Sequence, residues 1–466
     1  MREIEFTSSL PGASLSAGAE MRALLKLAGP LIVTQMAQMA IMTTDVIMLG
    51  RLGKTEIAAA ALGNTVFFFA WLIGCGPASA VSPMIAQILG TRPQDRTDVR
   101  RVVRMGFWVT IILWLPLAVL LFHTEQILLL CHQSPVLAHG AGIFAFPLAF
   151  GLLFSIGFQV LRNYMTALGR PNSSLVVMAL TVAFNALTDY ALIFGHFGMP
   201  RLGLFGSGVA SSLSFTFSFI VMLIVALSAT GVRHYYILHH FFRFHWAKFG
   251  ELFRLGMPIG MTMMFEAMLF NTATLIMGTF GIATVAAHQI ALNVASMTFM
   301  VPLGIALAAT VRVGLAAGAC DRDGVKRAGN CALMAALVFM TASGLLVASF
   351  PESLARLYFA DTPSNADAIA ITAIFLRVAA AFQIFDGIQV VAALSLRGLK
   401  DAHAPMWLAG ISYWLFGFPM CIALGYGLGM GGLGIWLGLA FALLVAAITL
   451  SARFYWIAGR VAVQSA

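Results

Sequence analysis

The sequence predicts an all-α polytopic membrane protein with twelve transmembrane helices in two pseudo-symmetric six-helix lobes. Three observations carry that prediction. The first is composition. Of 466 residues, 60% are hydrophobic and 10% charged, and the mean hydropathy is +0.92. Soluble domains hold ~45–50% apolar and ~25% charged residues. Such a surface could not be wetted, which excludes a cytosolic enzyme, a nucleic-acid module and a disordered chain. The net charge of +9 does not restore a nucleic-acid reading, because the basic residues sit in short loops and form no continuous stripe. The second observation is a set of long runs with almost no charge, and the third is an internal duplication.

A helix needs ~20 apolar residues to cross the hydrocarbon core. The first run, 25–49, starts beside Arg22 and Lys26 and stops before Arg51. The second, 57–82, lies between Lys54 and the basic group Arg92, Arg96, Arg100, Arg101 and Arg104, and the third is 102–122. The runs 140–161 and 173–195 are separated by Arg162 and Arg170, and 205–229 lies between Arg201 and Arg233. The seventh, 255–278, follows Arg243, Lys248 and Arg254. Residues 267–311 carry no charge, so the turn GTFG (278–281) separates the seventh run from the eighth, 284–311. The ninth, 328–350, follows Arg312, Arg322, Lys326 and Arg327, and the tenth, 368–393, precedes Arg397 and Lys400. Residues 402–452 contain no Asp, Glu, Lys or Arg; the Gly-rich stretch GYGLGMGGLG (425–434) divides them into 404–427 and 432–452. These runs are too long for barrel strands and lack two-residue alternation.

Lys and Arg concentrate on the cytoplasmic side of a membrane protein. With both termini inside, inner segments carry 22 of the 27 basic residues, while Arg51, Lys54, Arg201 and Arg356 fall outside and Arg377 lies within the tenth span. A wrong span count would have scrambled this asymmetry. Residues 1–20 have no apolar core and read as a short tail rather than a cleaved leader. The five cysteines are scattered with no CxxC pair, which argues against a disulfide framework or structural zinc.

Shifted by 228 positions, LAGPLIVTQMAQMAIMTTDVIMLGRLG (27–53) falls on LGMPIGMTMMFEAMLFNTATLIMGTFG (255–281) without a gap. Seven of the 27 positions are identical, including Pro30/Pro258, Thr34/Thr262, Thr44/Thr272, Gly50/Gly278 and Gly53/Gly281. Shared greasiness alone does not supply matched Pro, Thr and Gly. Six spans return the chain to its starting side, so the halves have the same orientation, as in parallel-repeat transporters. The expected organisation is a tail (1–20), an N-lobe (21–230), a cytoplasmic bridge (231–250), a C-lobe (251–458) and a second tail (459–466). Two such lobes with a cleft between them can rock about the bridge.

An ionisable group deep in a span costs ~2.5–3.5 kcal/mol on insertion scales. Asp45, Asp189, Glu266 and Asp386 qualify. Their neighbours are polar at helical spacing: Thr34, Gln38 and Asp45; Thr262 and Glu266; Thr181, Asn185 and Asp189; Gln383, Asp386 and Gln389; Gln289 and Asn293. Such stripes point into a bundle or an aqueous cleft. Hydrogen-bonded glue between helices, worth ~0.6 kcal/mol each, accounts for most of the Thr, Gln and Asn residues. It does not account for Glu266 and Asp386, which have no basic residue within one turn of their own helix. A carboxyl group that can be neutral or charged can carry a proton; with enough oxygens around it, it can hold sodium. Asp45 and Asp189 admit either reading. Arg377 either snorkels to the outer interface or meets a carboxylate on another helix. His239, His240 and His245 read as headgroup-level residues of the bridge, and His288 as a capping or packing residue. The 25 Met and 37 Phe suit a pliable apolar cavity for flat cations, though most must face lipid or other helices.

Several segments together resemble one family: TTDVIMLGRLG (43–53), NALTDYALIFGHFGMPRLGLFGSGVA (185–210), FEAMLFNTATLIMGTFG (265–281), AAHQIALNVASMTFMVPLGIALAATVRVGLAAG (286–318) and FQIFDGIQVVAALSLRGLKD (382–401). Over nearly its whole length the chain is similar to multidrug and toxic compound extrusion (MATE) transporters of the bacterial NorM-like branch. The resemblance implies the MATE/MOP fold and extrusion of cationic, amphipathic drugs in exchange for protons or sodium. It matches Asp45 to the acid of the first helix, Asn185 to its companion on the fifth, Glu266 to the glutamate of the seventh and Asp386 to the aspartate of the tenth. Sodium-coupled relatives often place a tyrosine one turn before that aspartate, where this chain has Phe382. This tilts the expectation toward protons, although Glu266, Asp386, Gln383 and Thr262 could still cage sodium.

The expectation is therefore a monomeric antiporter of a bacterial inner membrane, with both termini cytoplasmic, the lipid bilayer and small cationic drugs as its partners, and no cofactor beyond the coupling ion. A lipid-linked precursor flippase is the alternative, but its pyrophosphate would ask for several Arg or Lys in the spans, and the charges here are mainly acidic. A membrane-embedded enzyme is less favoured, since no HExxH, GxGD or NDxxxD lies on a span.

Overall fold

A computed structural model describes residues 16–358 and 365–461. Among them, twelve helices are long and apolar enough to cross a membrane, and there is no strand. They are α1 Ala17–Gly50, α2 Lys54–Thr91, α3 Arg96–Phe122, α4 Pro135–Ala167, α5 Pro171–Phe194 and α6 Gly203–Ser228, then α7 Trp246–Met277, α8 Ile282–Gly318, α9 Arg322–Ser349, α10 Ala366–Gly398, α11 His403–Gly427 and α12 Gly431–Ala458. Each matches an expected span, four of them (α5, α6, α7 and α9) ending one residue before it. A helix satisfies its own backbone hydrogen bonds where no water is at hand, and the ends carry the usual signals. Asp95 caps α3 by accepting from Thr97 N and Asp98 N, Ser134 caps α4, and Asp321 caps α9. Pro135 and Pro171 open α4 and α5, where a missing N–H costs nothing. Within α11, Ile411–Gly417 and Ala423–Gly427 are wound as π-helix.

The duplication recurs in the backbone. The starts of α2 and α8, residues 54 and 282, and those of α6 and α12, residues 203 and 431, differ by the 228 positions of the sequence repeat. Gly53 and Gly281 precede α2 and α8 in similar conformations, with Gly281 at φ 109°. The fourth helix of each half is its most deeply buried. In α4 every residue from Ser155 to Ala167 is buried, and so is Gln389 to Leu396 in α10.

The chain divides into two compact units, but not at the expected lobe boundaries. One is Val33–Met261; the other contains the described residues up to Ile32 and from Thr262 on. The first halves of α1 and α7 therefore each belong with the opposite half of the sequence. Glycine is the local reason. In the first unit, a Cβ on Gly76 of α2 would lie 2.7 Å from Gly260 N and 2.8 Å from Gly260 Cα on α7. In the second, a Cβ on Gly304 of α8 would lie 2.8 Å from Ile32 N on α1. Gly76 and Gly304 are repeat-related, as are Ile32 and Gly260, so the same close crossing is built twice. Small residues permit such approaches between helices in lipid. In the second unit Arg312 of α8 also clasps Glu20 of α1 through two hydrogen bonds, 2.8 and 2.5 Å.

The expected bridge also belongs to one unit. Arg104 Nη1 donates to His240 O at 2.8 Å, Trp108 Nε1 to Phe241 O at 3.0 Å, and His245 N to Met105 Sδ at 3.3 Å. These bonds tie the segment to α3, and its last five residues, 246–250, are already helical in α7. Of the expected tails, 1–15 and 462–466 lie outside the described residues, while Ala17–Glu20 begin α1.

Candidate functional site

In the first unit, α1, α5 and α6 bring Asp45, Asn185, Asp189 and Ser211 together. The side chains of Asp45, Asn185 and Asp189 interact at close range, and Ser211 Oγ donates to Asp45 Oδ2 at 3.4 Å. Asn185 and Asp189 are fully buried. Their i, i+4 spacing on α5 stacks them on one face, with Thr181, also buried, one turn earlier. Both Asp189 oxygens, Asp45 Oδ1 and both polar atoms of Asn185 are buried without a well-formed hydrogen bond among the described residues. Two carboxyl groups therefore face each other with no guanidinium or ammonium paired to either among the described residues. Gln38, expected on the same stripe of α1, instead accepts from Arg162 Nη1 at 3.3 Å, and Gln35 Oε1 accepts from the same nitrogen at 2.7 Å.

In the second unit, α7 and α10 bring Glu266 to Gln389 and Asp386. Gln389 Nε2 donates to Glu266 Oε1 at 3.0 Å, and the Glu266 and Asp386 carboxyl groups lie within electrostatic reach of each other. Asp386 also interacts with Gln389, and its Oδ1 is buried without a partner among the described residues. Gln383 is buried, its Oε1 accepting from Ser343 Oγ of α9 at 3.2 Å. Thr262 lies one turn before Glu266 and is buried. Among the described residues neither acid forms an ion pair, although Arg397, three turns beyond Asp386 on α10, acts on Glu266 from a distance.

The remaining candidates fall outside these clusters. Arg377 is exposed on α10, and among the described residues no carboxylate pairs with it. His288 is fully buried, its Nε2 shares a 3.1 Å hydrogen bond with Thr274 Oγ1, and its ring packs on Trp436. Phe382 packs edge-on against Phe270 and Trp436 at 6.0 and 5.5 Å, which fills the space beside Asp386 with rings rather than oxygens. Asn293 is exposed and accepts from Tyr358. Among the described residues no three His, Cys, Asp or Glu gather to hold a metal ion.

Sequence reasoning missed four contributors. Arg162 and Arg397 counted as inner-loop cations, yet Arg162 is buried in α4 and Arg397 lies in α10. Tyr413 of α11, fully buried, lies within reach of Glu266 and Asp386. Ser211 was one of several serines on α6 with no distinguishing spacing.

The MatE family model matches residues 30–191 and again 258–423, so both halves carry the family pattern and their starts are 228 residues apart. A probable multidrug resistance protein NorM of Mesorhizobium japonicum is 43% identical over 436 residues, 93% of each chain. One from Rhizobium meliloti is 43% identical over 453 residues, 96% of this chain and 95% of that one. The crystal structure of a eukaryotic MATE transporter superposes with a TM-score of 0.82 at 20% identity, covering 95% of this chain and 98% of the other. Its likeness concerns the fold. The fold, the twofold match and the close bacterial relatives agree: the chain belongs to the MatE family of multi-pass membrane transporters.

Proposed function

We propose that the protein is a multidrug efflux antiporter of a bacterial inner membrane, exporting lipophilic cations in exchange for protons by alternating access. Its NorM relatives are named as multidrug resistance proteins, which supports the substrate class. The observation that carries the mechanism is the acidic pair in each unit, Asp45 with Asp189 and Glu266 with Asp386, neither pair neutralised by an ion pair among the described residues. Two like charges held close in a poorly polarisable setting repel unless a cation joins them. A drug cation and an inward ion can each supply that charge, but not both at once. Competition for one pair couples release of the drug to entry of the ion.

Sodium is the second reading, with Glu266, Asp386, Gln383 and Thr262 as its ligands. The proton reading is favoured because Phe382 offers no oxygen and Gln389 presents an N–H to Glu266. The membrane potential contributes ~2.3 kcal/mol per charge per 100 mV. Exchange of one ion for one monovalent drug gains nothing from it, so the chemical gradient or a second ion supplies the drive. The cytoplasmic placement of both termini follows from the loop charges, and no step here calls for enzymatic chemistry or a cofactor.

The test is ethidium movement in everted vesicles with pH and sodium gradients imposed separately. Wild-type protein is expected to transport under the pH gradient alone. Glu266→Gln and Asp386→Asn are each expected to lower the rate at least tenfold while the purified proteins keep their melting temperature. Wild-type rates in both variants would end the proposal; transport under the sodium gradient alone would replace the proton with sodium.

A further inference from the structure

Away from the carboxyl clusters, the first unit holds a cavity of about 220 Å³ among α3, α4, α6 and the 231–245 segment. Phe107, Phe154, Phe219, Phe241, Ile111 and Leu153 form most of its wall. A cavity so lined suits hydrocarbon and disfavours water, which needs polar partners.

A cluster of cations lies beside it. Arg100, Arg104, Phe107 and Ile111 follow one another at i, i+4, i+7 and i+11, so one face of α3 passes from guanidinium to cavity wall within about three turns. Arg100, Arg101 and Arg243 lie within electrostatic reach of Arg104. Arg104 is buried, held by its bond to His240 O, and its Nε has no hydrogen-bond partner among the described residues. Of these four arginines, only Arg101 pairs with a carboxylate among the described residues, Asp98 at 2.8 Å. His240, in the loop, is held below the ordinary imidazole range first by His239, then by partial desolvation and by Arg243, Arg100 and Arg104. The same segment exposes Tyr236 and Phe242, and Trp246 follows at the start of α7; they are 64%, 85% and 77% exposed. Exposed aromatic rings beside basic residues are the usual composition of a membrane–water interface.

We propose that this is a binding site for an anionic phospholipid, with part of one acyl chain in the cavity and the phosphate and headgroup over Arg100, Arg104 and Arg243. The two halves of the site select that occupant. A soluble phosphate would use the cations and leave the cavity; a zwitterionic lipid would fill the cavity without answering the excess positive charge. An anionic lipid satisfies both, and it would reinforce the bonds that fasten the 231–245 segment to α3.

The experiment is native mass spectrometry of delipidated protein titrated with phosphatidylglycerol, phosphatidylethanolamine or inorganic phosphate, beside melting curves under the same conditions. One phosphatidylglycerol is expected to be retained at least tenfold more tightly than phosphatidylethanolamine. Arg100→Gln and Arg243→Gln are each expected to weaken phosphatidylglycerol about fivefold, the effect of one interfacial cation on an anionic lipid, with phosphatidylethanolamine unchanged. Leu153→Trp, which fills the cavity, is expected to remove the preference for phosphatidylglycerol; if that variant does not fold, the two arginine variants still decide the matter. Equal retention of both lipids, or unchanged retention in the arginine variants, would overturn the proposal. So would inorganic phosphate raising the melting temperature as much as the lipid at equal concentration, since the cavity would then have no part.

Discussion

Breaking the Glu20–Arg312 pair should release the first half of α1. The two residues are 292 positions apart and joined by two hydrogen bonds of 2.8 and 2.5 Å. Their side chains are 6% and 10% exposed, so water cannot replace a lost partner. Removing one member of a buried ion pair costs about 3–5 kcal/mol, mostly because the other charge stays buried and uncompensated. Replacing both with apolar groups of similar size is close to neutral or stabilising. The rest of the segment is held by Leu24, Leu27, Ala28 and Leu31, all buried, and by the crossing at Gly304. The cost should therefore appear as local opening of 17–32 rather than global unfolding. Amide hydrogen exchange reads such openings directly. In Glu20→Gln and in Arg312→Met, exchange across 17–32 is expected to accelerate about 160- to 5,000-fold, the equivalent of 3–5 kcal/mol, with α4 unaffected. The double variant Glu20→Leu/Arg312→Met is expected to exchange more slowly than either single one. Exchange in the single variants within threefold of wild type would show that apolar packing alone holds the segment and that the ion pair does not.

The close crossings make a second prediction: Gly76→Ala and Gly304→Ala should each destabilise their unit by about 1–3 kcal/mol through overpacking. Gly29→Ala, on a helix position where a Cβ meets nothing within 4 Å, should be neutral or stabilise by up to ~1 kcal/mol; melting curves in one detergent separate the three. Two of the arginines within the spanning helices, Arg162 and Arg377, should differ as sharply. Arg162→Met leaves Gln35 and Gln38 without their donor and should cost roughly 1–3 kcal/mol. Arg377→Gln, on an exposed face, should stay within about 0.5 kcal/mol of wild type and keep its ethidium transport.

The spans were legible because lipid exposure leaves a one-dimensional record, a run of about twenty residues with almost no charge. That record says less about where a helix ends. The seventh apolar run starts at 255, because Lys248, Glu251 and Arg254 look like a loop, yet α7 begins at Trp246. Helices continue past the hydrocarbon, and hydropathy registers the solvent rather than the backbone. By hydropathy Arg162 falls in an inner loop for the same reason, although the neighbours of α4 bury it. The acids Glu266 and Asp386 were legible one at a time, since each stands out in an apolar run. What they touch was not: Gln389 is 123 positions from Glu266, and Ser211 is 166 from Asp45. Such pairings depend on how helices pack, and a helix presents its polar stripe without specifying which neighbour will face it.

The repeat shows the same division between residue and role. Matched Pro30/Pro258 and Thr34/Thr262 announced a duplication, but not what the first helix of each half does. The structure adds that both helices pass between units just after the proline, at Ile32/Val33 and Met261/Thr262. Asp45 and Glu266 lie beyond those points, in the unit built mainly from their own half, while the first halves of α1 and α7 are packed into the other. Each carboxylate-bearing helix is thus continuous with a segment fixed in the opposite unit, by Gly304 and Arg312 for α1 and by Gly76 for α7. On the proposed function, a change in the ion or drug held at either acidic pair would act on a helix whose residues are divided between the two units. Independent lobes joined only at 231–250 would lack that linkage, and it follows from small residues at two repeat-related crossings rather than from the loop between the halves.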